Sequence, residues 1–333
     1  MRLPAEWEKQ SFVQLTLPHK NTDWSPILNE VLECYREMIL VISRYEPLII
    51  ISQDMDIAQS LTNGIDNIHI VECKTNDTWT RDHGFITCID EGISHYMDFQ
   101  FNGWGMKFPS NYDNQINKYL WESGLLKGEY VNHNDFILEG GSIESDGKGT
   151  IITTSSCLLE KNRNNTLSKT EIENNLKLFL GAHRILWLNH GYLCGDDTDG
   201  HIDTLARLCP NDTIVFVECD NTEDEHYEEL LLMKEELSSF RTMTNEPYKL
   251  IGVPLPHPIY DDGNRLPATY ANFLIINNAI LLPTYNQPTN DYIAKQQLKA
   301  VFPERDIIEI NCNALIRQHG SLHCCTMQYP KTH

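Results

Sequence analysis

Apolar positions along this chain fall into two recurring patterns. One has helical spacing. A periodic apolar stretch follows Ser25-Pro26 and runs to about Ser43, and a cap with proline at the first helical position is a strong helix start. A second helix is predicted after Thr222, where Glu225 three residues on makes a capping box. The five acids between Glu223 and Glu229 suit the positive end of that helix. A third begins at Asn290, with Ile293, Ala294, Leu298 and Val301 on one face. The other pattern is the short β-rich run, at 48–52, 85–89, 96–101, 150–154, 213–218 and 273–282.

These runs repeat as a unit: a polar element, a strand, a tight turn and a second strand. Asp82 precedes the turn Asp90-Glu91-Gly92, and Glu139 precedes Asp146-Gly147-Lys148-Gly149. His201 precedes Pro210-Asn211-Asp212, and Asn272 precedes Asn277-Asn278. Asp-Gly and Asn-rich pairs are hairpin signals. The polar elements are spaced by 57, 62 and 71 residues, and a fifth falls 52 residues further on, at Cys324. Only nine residues follow Cys324, too few for a second strand and a helix, whereas the N-terminus offers an orphan strand at 12–17 followed by a helix. The two ends are therefore expected to pair and close a ring of five modules. Closure removes exposed strand edges and gathers Asp82, Glu139, His201 with Asp203, Asn272 and Cys324 around one axis. The whole of 1–333 is expected to form this single α/β domain.

Composition narrows the function. The chain has 333 residues with 26 Lys+Arg against 47 Asp+Glu, a net charge of −21. Nucleic acid and anionic membranes need a basic face, so neither is an expected partner. A small cation suits a negative cleft, although most of the charge is accounted for by a solvated surface. The longest apolar runs, such as 47–51, are too short to span a bilayer, and residues 1–7 lack the regions of a signal peptide. A cytoplasmic protein is expected. The ten cysteines include no C-x-x-C and are scattered through apolar runs, as free buried thiols are, and structural-zinc spacing is missing.

His201 and Asp203, two apart, would share one face of a strand, with Gly200 freeing the backbone before them. Asp82 follows Arg81, which could be its ion-pair partner. Glu139-Gly140-Gly141-Ser142 could be a plain turn, or could allow close backbone approach to something small. Cys324 lies beside His323, and as a nucleophile it needs neighbouring positive charge to form a thiolate. Neither dinucleotide- nor P-loop-type glycine motifs occur. Two or three carboxylates, one His and one Cys suit attack on a planar, cationic, nitrogen-rich carbon: the acids grip a guanidinium, the Cys attacks and the His moves protons.

The ordered motifs make the resemblance specific. Leu3-Pro4-Ala5-Glu6-Trp7, Asn76 through Gly84, Phe101-Asn102-Gly103-Trp104-Gly105, Glu139 through Ile143, Thr198-Asp199-Gly200-His201-Ile202-Asp203, Tyr270-Ala271-Asn272-Phe273 and His323-Cys324 together resemble bacterial agmatine deiminases of the guanidine-modifying pentein superfamily. The resemblance implies a five-bladed α/β propeller and hydrolysis of agmatine to N-carbamoylputrescine and ammonia, with no metal or organic cofactor. It implies Cys324 as nucleophile, His201 as general acid/base, and Asp82, Glu139 and Asp203 as acids of the guanidinium pocket. Trp79, Trp104, Asn272 and Asp197 are expected at the substrate, Asp197 for the distal ammonium. Similar enzymes are commonly oligomeric, so a homodimer is expected. Two departures bear on the substrate: Gln318-His319-Gly320-Ser321 replaces a glycine-rich run ending in Asn, and Asp197 stands where a longer Glu is usual. The alternative is a peptidyl- or protein-arginine deiminase with the same catalytic set. It would need a cation for a backbone carbonyl or carboxylate. Arg265, in the proline-bearing loop 254–267, is a candidate for that role or an ordinary surface arginine.

Overall fold

The computed structural model describes residues 1–332. Five of the six sheets among the described residues form modules, each an antiparallel strand pair whose second strand pairs in parallel with a third strand after a helix; the sixth is a two-stranded ribbon of Tyr260–Asp261 with Asn264–Arg265. In the first module Ile86–Asp90 and Ile93–Gln100 form the hairpin, and helix Asp113–Glu122 leads to Glu129–Ile137. The second contains Ile143–Ser145, Thr150–Thr154, helix Lys169–Leu180 and Arg184–Leu188. The third contains Ala206–Cys209, Thr213–Glu218, helix Tyr227–Ser239 and Lys249–Pro254. The fourth contains Leu274–Ile276, Ala279–Thr284, helix Pro288–Val301 and Asp306–Asn311.

The fifth module joins the chain ends. Thr326–Pro330 runs antiparallel to Gln10–Thr16, with Val13 opposite Gln328 and Leu15 opposite Thr326. After helix Leu28–Ile42 the strand Leu48–Ser52 pairs in parallel with the N-terminal strand, and Ile68–Glu72 adds a fourth. The result is the expected five-bladed α/β propeller closed by its termini. Its hairpins turn where the sequence placed them, with positive φ at Glu91 and Gly92 and again at Asn211 and Asp212. Two successive left-handed residues match the twist of the flanking strands.

The second strands are buried almost end to end, as in Thr150–Thr154 and Ala279–Thr284, because helices and neighbouring modules cover both faces. Apolar clusters lie between modules and hold them together. One joins Ile86, Met97 and Phe99 of the first module to Ile151, Ile172 and Leu176 of the second. Another joins Ile49, Ile51 and Tyr329 of the fifth to Phe85, Tyr96 and Ile116 of the first. At the axis Arg207, fully buried, binds Glu6 at 2.7 Å and Glu144, and donates to the carbonyls of Ala271 and Phe273.

Local expectations differ at four places. Ser25 caps nothing: Ser25–Ile27 form a 3-10 turn ahead of the α-helix Leu28–Ile42, and neither start has a side-chain cap. The helix of the third module starts at Tyr227 without a side-chain cap, and no Thr222–Glu225 box forms, because Glu225 is drawn instead to Arg265 at 3.0 Å. The fourth-module helix begins at Pro288, whose missing N–H is no loss in a first turn. Its buried face is Asn290, Asp291, Ala294, Leu298 and Val301, which leaves Ile293 39 % exposed. Arg265 is neither a surface residue nor a free cation, being buried against Asp224 at 2.8 Å and Glu225. No helix among the described residues is long and apolar enough to cross a membrane.

Candidate active site

Each of the five polar elements sits where the chain turns into the first strand of its module. Asp82 lies in the turn Thr80–His83 and Glu139 just before Gly140–Ser142. His201 and Asp203 belong to the turn at Ile202–Thr204, and Cys324 to His323–Cys325. His201 and Asp203 thus converge through one tight helical turn and not along a strand, and Gly200 before them has φ +89°. The ring gathers these turns at one end of the axis.

Gly141 marks where they meet. A Cβ there would lie 2.6 Å from His201 Nδ1, 2.8 Å from Asp82 Oδ1 and 3.2 Å from Asp203 Oδ2, so only glycine fits between the three groups. Its N–H donates to Asp82 Oδ1 at 3.1 Å, and the Trp104 indole donates to Asp82 Oδ2 at 2.9 Å. Asp82 makes no ion pair with Arg81. That guanidinium turns away to the His323 carbonyl and the Met327 sulfur. His201 Nδ1 lies 3.5 Å from Asp82 Oδ1, close enough for charge attraction but not for a hydrogen bond. Asp203 Oδ2 accepts from His323 Nδ1 at 2.7 Å and lies 3.9 Å from Cys324 Sγ. Asp203 Oδ1 and both ring nitrogens of His201 are buried without a hydrogen-bond partner. These atoms are free to accept or donate a bond to a bound polar group, although others buried away from the site, such as both ring nitrogens of His83, are equally unpartnered.

Burial raises the Cys324 thiol well above its usual range, and the Asp203 and Asp82 charges raise it further. Burial, with Asp203 and Glu139 nearby, pushes Asp82 up to about 6 against the pull of His201 and Trp104. Burial disfavours the charged His201 ring, but Asp82, Cys157 and Glu139 outweigh it and hold the imidazolium, pushed up to about 10. Asp203 is held below the usual carboxylate range, because the hydrogen bond and charge of His323 overcome burial.

Above this floor opens a cavity of about 130 Å³ lined by Asp23, Asp77, Asp82, Asp196, Asp197, Trp79, Trp104, His319 and Cys324, among others. Its described lining has five aspartates and no lysine or arginine. Trp79 leans on Trp24, ring centroids 5.5 Å apart. Asp196 is occupied locally, accepting from the Thr198 and Gly200 N–H groups, whereas Asp197 keeps a half-exposed carboxylate 3.8 Å from His319 Nδ1. Asn272, expected at the substrate, is not in this lining, and neither are Glu139, His201 and Asp203, all fully buried. Asn272 is fully buried, accepts the His323 N–H at 2.9 Å and donates to Cys324 Sγ at 3.3 Å, so it braces the cysteine turn.

Sequence reasoning missed Arg163, which clamps Glu139 through Nε at 2.9 and 3.1 Å and reaches Asp199 at 2.8 Å and the Thr198 carbonyl. It lies outside the repeating element, and its only signal is an arginine in a polar loop. Two clusters have metal-ligand chemistry, Glu139 with Cys157 and His201, and Glu6 with Glu144 and His323. Arg163 and Arg207 already supply positive charge to their carboxylates. These networks therefore need no metal for charge balance.

Residues 2–330 match the model of the Porphyromonas-type peptidyl-arginine deiminases. The agmatine deiminase of Pseudomonas aeruginosa (strain LESB58) is 31% identical over 356 residues, covering 99% of this chain and 95% of that protein. The structure of C. jejuni agmatine deiminase, a cysteine-to-serine variant with substrate bound, superposes with a TM-score of 0.93 at 41% identity, covering 99% and 96% of the two chains. That of Enterococcus faecalis agmatine deiminase gives a TM-score of 0.89 at 27% identity, with 99% and 96% covered.

Proposed function

The chain belongs to the Porphyromonas-type peptidyl-arginine deiminase family, and from that premise we propose that it hydrolyses agmatine to N-carbamoylputrescine and ammonia. The observation that carries the choice of substrate is the cavity with five aspartates and no lysine or arginine. Agmatine is cationic at both ends and has no carboxylate. The guanidinium is received by Asp82 and by Asp203 Oδ1, which is otherwise unpartnered, while Asp197 faces the distal ammonium. Trp79 and Trp104, both in the lining, are placed to flank the methylene chain.

The buried thiol is a poor nucleophile beside two carboxylates. A bound guanidinium reverses that local charge and favours the thiolate. The Cys324 thiol gives up its proton to solvent water as the thiolate forms, and Sγ then bonds to the guanidinium carbon. The C–N bond breaks, and ammonia departs with a proton from His201, leaving an amidino group on sulfur. Water adds to that carbon as His201 recovers a proton from it. The C–S bond breaks, the thiol is restored and the ureido product leaves. Glu139, anchored by Arg163, supports the cationic His201 ring throughout.

The family's name favours a second reading, arginine held in a peptide. It lacks a docking cation, because Arg265 is committed to Asp224 and Glu225. Ammonia release measured with agmatine, free arginine and a blocked arginyl peptide separates the readings. Turnover of agmatine alone is the result expected, and turnover of the peptide alone would replace it with the second reading.

A further inference from the structure

Directly behind Asp203 lies a polar bridge that the reaction as described does not use. His323, 1 % exposed, has Nδ1 2.7 Å from Asp203 Oδ2 and Nε2 2.8 Å from Glu6 Oε2. Both carboxylates are held ionised, Asp203 by His323 and Glu6 by Arg207 and His323, in each case against burial. An ionised carboxylate only accepts, so Nδ1 donates to Asp203, while Nε2 lies between Glu6 Oε2 and Arg207 Nη2, 3.1 Å from the latter. Glu6 cannot swing away, since Oε2 also takes Arg207 Nη2 at 2.7 Å and Oε1 takes the Ile275 N–H at 2.7 Å. The His323 backbone is fixed in turn by Asn272 Oδ1.

We propose that His323 is a positioning residue that locks the Asp203 carboxylate by holding Oδ2, with Glu6 as the anchor of the ring, so that Oδ1 stays turned toward the substrate guanidinium. The inference rests on the reading of Asp203 as a guanidinium ligand. Unheld, Asp203 would rotate, and binding would have to restore its geometry at an entropic cost.

Two amides that each copy half of the ring separate positioning from filling space. In His323→Asn the amide nitrogen reaches the place of Nδ1 and keeps the bond to Asp203. In His323→Gln it reaches the place of Nε2 and keeps only the bond to Glu6. A hydrogen bond to a charged group is worth on the order of 10- to 150-fold. The purified full-length Gln variant is therefore expected to lose about that factor in kcat/KM for agmatine, mostly through KM. The Asn variant is expected to stay within roughly tenfold of wild type, with melting temperatures for both recorded alongside. Equal losses in Asn and Gln, a better Gln than Asn, or wild-type kinetics in both would overturn the proposal. Absence of wild-type turnover of agmatine would overturn the substrate reading instead, and the Asn–Gln comparison is then made on the blocked arginyl peptide.

Discussion

Asp82 is the residue whose environment makes the sharpest demand on pH. In the proposed mechanism it must be ionised to hold a guanidinium, yet burial and the neighbouring acids push it up to about 6. The pH dependence of kcat/KM reports the free enzyme, so this parameter is expected to fall about tenfold per unit below roughly pH 6. The residual activity of Asp82→Asn should lack that limb, and a wild-type profile flat down to pH 5 would contradict the assignment. The sign for stability is opposite. A carboxyl raised on folding holds its proton more tightly in the native state, so its contribution to stability is greatest at low pH and is lost as pH climbs from about 4 to 6. Asp82 was legible from its place in the repeat. Its indole partner, Trp104, was legible only through the resemblance, because nothing in the spacing of Trp104 points to Asp82. Arg163, Glu6 and His323 had no assigned role: Arg163 meets Glu139 across 24 residues within its own module, and His323 meets Glu6 and Asp203, 317 and 120 residues away, only after the ring closes.

The turns that begin the modules carry the groups the proposed mechanism uses, and their dimensions are tight. Gly141→Ala would force a methyl to within 2.6 Å of His201 Nδ1 and 2.8 Å of Asp82 Oδ1. We expect deimination to fall below detection with a loss of about 1–3 kcal/mol in urea unfolding, the usual range for overpacking. An active alanine variant would mean that the turn opens more freely than this geometry allows. Hairpins were readable because two left-handed residues in succession leave a chemical mark, as at Glu91-Gly92 and Asn211-Asp212. The third strands of the first four modules and the fourth strand of the fifth were not readable. Ile68–Glu72 and Glu129–Ile137 are only partly buried, so their polar and apolar residues follow no clean period. The helix at Tyr227 shows the same limit from the other side. A capping box was present in sequence, but an ion pair to Arg265, 40 residues away, took its glutamate.

Across the whole molecule the five modules are held by shared apolar clusters and by one buried cation. Arg207 touches Glu6 from the N-terminal segment, Glu144 from the second module and two carbonyls near the start of the fourth. Arg207→Met leaves two buried carboxylates without their partner, and removing one member of a buried pair costs about 3–5 kcal/mol. Chemical denaturation should show a loss of that size, and a loss under 1 kcal/mol would mean that the axis does not depend on it. The axis also gives a small part of the −21 charge a use: five aspartates of the excess line one cavity. The most direct test of that account is ammonia release from agmatine by the wild type and by Cys324→Ala, side by side. The account predicts steady release from the wild type and none above background from the variant. Comparable release from Cys324→Ala, or none from either protein, would contradict it.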